Sequence, residues 1–431
     1  MEDLKGLVSR LYPFRYSVTG PDNDAAVDLL QSLLAFEVLE YPSGAELNGW
    51  IIPPSETVQE ALLLKDGKVV YDGLRSPLGV PAQVQSFSGT LSLDQLQHHL
   101  FSDPLQPDAV PAHWSNLYRP GSCNWGFCIP HRIRNSLVEG EYEVRLVTQS
   151  QPSTMKVLRH VLPGDSPVTV LFNAHNCHPF QANDDMSGVA VGIALMLELA
   201  RRPRRRFTYE LMIAPELFGP LFWLNSLPAE QSENLLGAVM LKSVGNSGPL
   251  KLQQAFDEAS LISRAAMRVF ADKYGSFEST VFRGLYGNDE TVFEAPPFRI
   301  PSVSLTRWPF REYHTDLDTP DRLSAEALSD TLDTALRLCE ALEMCRTYFP
   351  SFRGLVNLGR LGLYLPHPGV SGEGADFLSA PGRWHRLMNT LPSLLGSEFD
   401  LLAICEEFDL PLRDVHAYLT EWANAGLVDV S

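Results

Sequence analysis

Residues 171–188 read LFNAHNCHPFQANDDMSG, and this stretch decides the fold. It opens as a continuous apolar run closing on His175, the pattern of a strand buried on both faces of a parallel sheet. His178 follows about one turn of chain later. Two adjacent acids, Asp184 and Asp185, then precede a Ser-Gly pair that starts the apolar helix SGVAVGIALMLELARR. A buried strand, a polar loop and a helix make the repeating unit of an open α/β sheet, whose sites lie at the carboxyl ends of the strands.

The same rhythm continues outward over residues 140–350: YEVRLVTQ, TVLFNAH, the helix, FTYELMIAPE and GAVMLKSVG. The expected fold is α/β, a mostly parallel sheet flanked by helices. Before it, GPDND caps the helical AAVDLLQSLLAF. Residues 36–134 break into short alternating stretches between Pro and Gly, the texture of a small β-rich unit. After the bridge LPHPGVSGEGADF, three short helices run to a terminal LVDV, which suggests a winged helix. The expected domains are therefore a core of 1–35 and 135–360, an insert of 36–134 and a C-terminal module of 375–431.

The chain has 431 residues, 45% hydrophobic, which is ample for a large core and points to more than one domain. Its 34 basic residues face 52 acidic ones, a formal charge of -18 that repels polyanions and argues against nucleic acid. The helical C-terminal segment is itself acid-rich, so packing or dimerisation is expected of it rather than DNA binding; oligomeric state stays open. The run RRPRRR at 201–206 follows a helix end, where cations are favoured, and reads as a solvated loop. The opening MEDLKGLVSRLYPFRYSV lacks the arrangement of a secretory leader, and no apolar run approaches the ~20 residues of a membrane span. A cytoplasmic protein without membrane partners is expected. Six scattered cysteines in a chain of this size read as reduced thiols.

Four segments bring together the residue types of a hydrolytic zinc site. The first offers His175, His178, Asp184 and Asp185, since imidazole and carboxylate are what zinc takes in sites that keep one position open. MIAPELFG places Glu216 just past a strand, where a carboxylate can take a proton from water. GLYGNDE offers Asp289 and Glu290, and REYHTDLDTP offers Tyr313, His314 and Asp318. Singly, each is more often structural than catalytic.

Together they resemble the co-catalytic zinc aminopeptidases, whose site is built from H-x-D, D-D-x-x-S-G, E-E-x-G, L-D-M-x-G and Y-H-T-x-x-D in that order. The chain is more similar still to an aminopeptidase-like bacterial family with an inserted β-rich domain and a C-terminal winged helix. Its H-x-C-H-P-x-x-x-N-D, P-E-x-x-G and Y-H-T-x-x-D patterns occur here, as does W-G-F-C at Trp125 to Cys128.

The resemblance implies Asp184 as the central ligand, His314 as a second and His175 as a third, with His178 replacing it, joining it or bonding from behind. It implies Glu216 as general base, Tyr313 beside the oxyanion, and Asp185 and Asp318 behind the ligands. Two departures stand out: Leu217 replaces the second acid of E-E-x-G, and Lys242 the acid of L-D-M-x-G. One zinc ion is therefore expected, with Lys242 supporting an oxyanion or binding a substrate carboxylate, and Asp289 and Glu290 contacting substrate. The implied activity is hydrolysis of a small peptide or N-acyl metabolite. The rivals are a cyclase resembling glutaminyl cyclase and a non-catalytic scaffold on a degenerate peptidase core.

Overall fold

A computed structural model describes residues 3–365, 380–396 and 399–430; the bridge expected at 365–377 lies outside these beyond its first residue. The chain forms two compact units, Met1–Phe256 with Ser279–Leu332, and Asp257–Glu278 with Asp333–Ser431.

The first unit is built on an eight-stranded sheet. In chain order its strands are β1 (Glu37–Pro42), β2 (Thr154–Leu162), β3 (Thr169–His175), β4 (Thr208–Ala214), β5 (Leu235–Lys242), β6 (Lys251–Gln253), β7 (Ser279–Thr280) and β8 (Ser302–Thr306). They lie side by side as β1-β2-β4-β3-β5-β8-β6-β7. The four central strands run parallel. Antiparallel pairings flank them: β2 on β4, β1 on β2 and β6 on β8. The sheet is thus mixed, with a parallel centre. All of β3 is buried, as are β4 after Thr208 and β5 apart from Leu236. That is why these strands read as unbroken apolar runs rather than alternating ones.

The helix Ser187–Ala200 is buried at every residue from Ser187 to Met196, as a helix apolar all round must be. Its start fits only because of Gly188. A Cβ there would lie 1.9 Å from the Leu241 carbonyl oxygen and 2.6 Å from Asp185 Oδ1.

A second, four-stranded antiparallel sheet in the same unit orders Lys68–Asp72, Ser55–Lys65, Glu141–Gln151 and Phe87–Ser92. The sheets do not follow the expected bounds of 36–134, since β1 at 37–42 inside that range joins the large sheet and 141–151 beyond it the small one. Leu63, Leu96, Phe127, Ile129, Val144 and Leu146 fill the small sheet's core. Trp125 of W-G-F-C stacks between Phe87 and His99, with centroids 4.1 and 3.7 Å away, so its contribution is packing.

In the second unit, helices Leu261–Tyr274, Ala380–Leu394, Leu401–Phe408 and Leu412–Asn424 accompany a two-stranded antiparallel ribbon of Tyr348–Pro350 and Val428–Val430. Asp400 caps the third helix by accepting from Ala403 N and takes both arms of Arg264 at 2.9 and 3.0 Å. No helix among the described residues is long and apolar enough to cross a membrane, and none of the six cysteines is in a disulfide.

Candidate metal centre

The chemistry-bearing residues collect at the carboxyl ends of the central strands. His175 ends β3, Lys242 ends β5, Glu216 stands two residues beyond β4, and His314 lies in the loop after β8. Backbone hydrogen bonds fix the loop between β3 and its helix. Asp185 accepts from His175 N at 3.2 Å and Ser243 N at 3.0 Å, tying the ends of β3 and β5. Asp318 accepts from Asn183 N at 2.7 Å and Asp184 N at 3.0 Å. Asn183 Oδ1 in turn takes Gly245 N at 2.8 Å. Phe180, Leu217, Ser243 and His314 all have φ between 52° and 63°, a region costly for non-glycine residues and found where surrounding structure over-determines a site.

On one side of Asp184 stand two imidazoles. Its Oδ2 is 3.6 Å from His178 Nε2 and 3.5 Å from His314 Nε2. Ligands ~2.05 Å from a tetrahedral zinc lie roughly 3.4 Å apart, so this spacing fits one ion. Asp184 is wholly buried and His178 nearly so, yet Oδ2 and both Nε2 atoms have no hydrogen-bond partner. Buried polar atoms left in this way are rare unless something binds them. The tautomer also suits: His178 Nδ1 lies 3.0 Å from the Pro179 carbonyl oxygen, so it carries the proton and Nε2 the lone pair. Burial pushes the pKa of His314 down, so it too offers a neutral ring.

On the other side of Asp184 stands Lys242. Its Nζ is 3.1 Å from Asp184 Oδ1, 3.2 Å from His175 Nε2 and 3.6 Å from Glu216 Oε1. Burial alone would lower the pKa of Lys242, but Asp184 and Glu216 hold it well above the usual range. Burial would likewise raise Asp184, which the Lys242 charge above all holds well below the carboxylate range. Both groups are therefore charged. His175 Nδ1 faces Cys177 Sγ at 3.6 Å, and Cys177 lies 4.0 Å from Glu216 Oε2.

A cavity of about 290 Å³ opens on the first side, lined by His178, Glu216, Tyr313 and His314. Its walls include Trp114, Leu117, Tyr118 and Leu217. The segment carrying Trp114 is pinned to the His314 loop, because Ala112 N donates to His314 O at 2.8 Å and Asp316 Oδ1 accepts from Val110 N at 2.9 Å. Trp114 is thereby held 5.2 Å from the His178 ring and 6.1 Å from that of His314.

A family model described as a domain of unknown function, DUF4910, matches residues 5–345. The chain belongs to the DUF4910 family. It is 24% identical over 379 residues, 87% of this chain and 85% of the relative, to a Clostridium acetobutylicum protein named "Putative polysaccharide biosynthesis protein with aminopeptidase-like domain". Among solved structures, the fold is similar to a "putative peptidase" of Clostridium acetobutylicum, with TM-score 0.81 and 21% identity over 99% of this chain and 96% of that one. A zinc aminopeptidase of Bacillus subtilis matches with TM-score 0.59 and 15% identity, over 78% and 93% of the chains. An aminopeptidase of Aneurinibacillus sp. strain AM-1 matches at 0.53 and 14%, over 79% and 92%. The aminopeptidase-like fold follows from these likenesses.

Several residues of this DUF4910 chain stand elsewhere than the sequence suggests. His175 stands apart from His178 and His314, its Nε2 3.1 Å from Asp184 Oδ1 and 3.2 Å from Lys242 Nζ. Lys242 is 2% exposed, so its ammonium meets side chains rather than a substrate carboxylate. Asp289 and Glu290, expected to touch substrate, are fully buried. Asp289 accepts from Asn173 Nδ2 and Leu217 N, both at 2.6 Å, and Glu290 Oε1 from Asn288 N at 2.9 Å. Burial is the first cause that raises both acids, to about 6 and about 7. The residue of that loop that reaches the site is their neighbour Asn288, whose Nδ2 donates to Glu216 Oε1 at 2.6 Å. Reading only the charged members of GLYGNDE missed it. Trp114 and Tyr118 were missed too, although the aromatic pair in WSNLY was visible in a segment otherwise short of periodicity.

Proposed function

We propose that this protein is a metal-dependent amide hydrolase of the aminopeptidase type, taking a single zinc at His178, Asp184 and His314. The observation that carries the reading is the trio of buried, unpartnered donor atoms, all within 4.8 Å of one another, beside a cavity lined by His178, His314 and Glu216. Zinc held there supplies Lewis acidity to the scissile carbonyl. Water adds to that carbonyl and the C–N bond breaks, giving a carboxylate and a free amine. Glu216, with Oε1 steadied by Asn288 and Lys242, takes the proton from water on Oε2 and passes it to the departing nitrogen. Tyr313, lining the cavity, supports the developing oxyanion, and Trp114 and Leu117 limit access of bulk water.

The substrate class is a small amide, a peptide or an N-acyl metabolite. The relative named for polysaccharide biosynthesis favours the metabolite. The acid-rich C-terminal helices are read as a winged helix used for packing, since their charge repels phosphate.

The test is zinc content by mass spectrometry together with hydrolysis of a panel of aminoacyl and N-acyl amides. The wild type is expected to hold one zinc and to turn over; Asp184→Ala, no zinc and no turnover; Glu216→Gln, zinc without turnover. A folded wild type that takes up no zinc sinks the proposal.

A further inference from the structure

We propose that the Lys242 ammonium fills a second cation position beside Asp184, so that the chain itself supplies one of two charges and only the other comes from solution. The proposal rests on the reading of His178, Asp184 and His314 as a metal site.

What surrounds Nζ is the surrounding of a metal ion. Two carboxylate oxygens and an imidazole nitrogen, Asp184 Oδ1, Glu216 Oε1 and His175 Nε2, lie 3.1–3.6 Å from it. These are the donor types zinc takes. The remaining approaches are closed by aromatic faces: Nζ lies 5.6 Å from the Tyr286 ring centroid and 5.7 Å from that of Tyr313. Rings attract a cation but coordinate no ion.

Charge points the same way. A divalent ion brought in with one extra carboxylate carries a net single positive charge, as one ammonium does. Exchanging one arrangement for the other leaves the two carboxylates, buried Asp184 and cavity-lining Glu216, equally balanced, so the site tolerates either. Position supports it too, because Lys242 is the last residue of β5, beside the end of β3 where His175 stands. A shorter acidic side chain there would present oxygen to the space its own ammonium now fills. Lys242 is thus a positioning residue: it touches no substrate, and holds Asp184 and Glu216 by opposite charge.

The experiment is a zinc titration of the full chain followed by native mass spectrometry, with circular dichroism as the check on folding. The wild type is expected to bind one ion at saturation. Lys242→Asp is expected to bind two, the second among the introduced carboxylate, His175, Asp184 and Glu216. Lys242→Met, which keeps length but not charge, is expected to bind its first ion about tenfold more tightly, since a cation near the site has gone. A lysine with a merely structural role predicts no gain in stoichiometry or affinity. The proposal is overturned by a wild type that binds two ions, whether or not Cys177 helps to hold the second. It is equally overturned by a folded Lys242→Asp that binds only one, or by a folded Lys242→Met whose affinity is unchanged or weaker. No ion in the wild type overturns the metal reading itself, which separates the two failures.

Discussion

The two oxygens of Asp184 face two opposite solutions to one problem. A buried carboxylate needs positive charge nearby. On the Oδ1 side the chain provides it, through a lysine tethered to a strand end and enclosed by rings. On the Oδ2 side the chain provides only lone pairs, those of His178 and His314, and opens onto a cavity. The difference teaches where exchange with solution happens. The lysine side is closed and permanent, the histidine side open and fillable.

That comparison can be broken most decisively at its hinge. Asp184→Ala removes the group common to both sides and should abolish zinc binding and lower kcat/KM by on the order of 10³-fold or more. Separating the sides gives the next largest effect. His314→Ala should weaken zinc by about 10²-fold, whereas His175→Ala, on the lysine side, should change it less than about tenfold. Equal losses in an equilibrium zinc titration would erase the distinction.

Turnover sharpens it further. Asn288→Ala should lower kcat by about tenfold with KM and zinc affinity nearly unchanged, because it releases Glu216 Oε1 from one of its two holders. A KM effect of the same size would place Asn288 on substrate instead.

The smallest effect contrasts Asp184 with a partly buried acid that has no ion-pair partner among the described residues. Glu56 accepts only from Gln83 N and Val84 N, and burial, the main cause, raises it from 4.5 to about 7. Between those values the folded protein holds a proton that the unfolded chain releases. Glu56 therefore stabilises fully below about pH 4.5, and loses that contribution as pH rises through about 7. The melting temperature of Glu56→Gln, measured against wild type, should shift in the variant's favour between pH 5 and pH 8. A pH-independent difference would show that two N–H donors suffice without a cation.

The alternation of buried strands and helices was plain in the sequence, because a parallel sheet covered on both faces favours apolar residues through most of β3, β4 and β5, the exceptions within them, Asn173 and Glu210, being held by Asp289 and Arg159. Asp184, Glu216 and His314 were legible for a related reason: each sits at a strand end or the loop beyond it, where the fold places chemistry. The choice between His175 and His178 was not. It depends on a loop that turns through the left-handed Phe180 and is held by Asp318, some 135 residues away in the chain. The placement of Lys242 was open for a different reason, since a lysine stem reaches substrate or partner with equal ease and only the surrounding acceptors decide. Asp289 and Glu290 were expected at substrate from the resemblance alone, whereas one spends its carboxylate on the Leu217 backbone and the other on Asn288 N.

The wall that carries Trp114, Leu117 and Tyr118 has a consequence for how this scaffold diversifies. It is delivered by a stretch of chain over fifty residues upstream of His175, and it meets the ligand loop through two backbone bonds, Ala112 N to His314 O and Asp316 N to Val110 O. Those bonds are indifferent to side-chain identity. Selection, natural or in a combinatorial library over positions 114, 117 and 118, can therefore remodel what enters while inheriting the reactive centre intact.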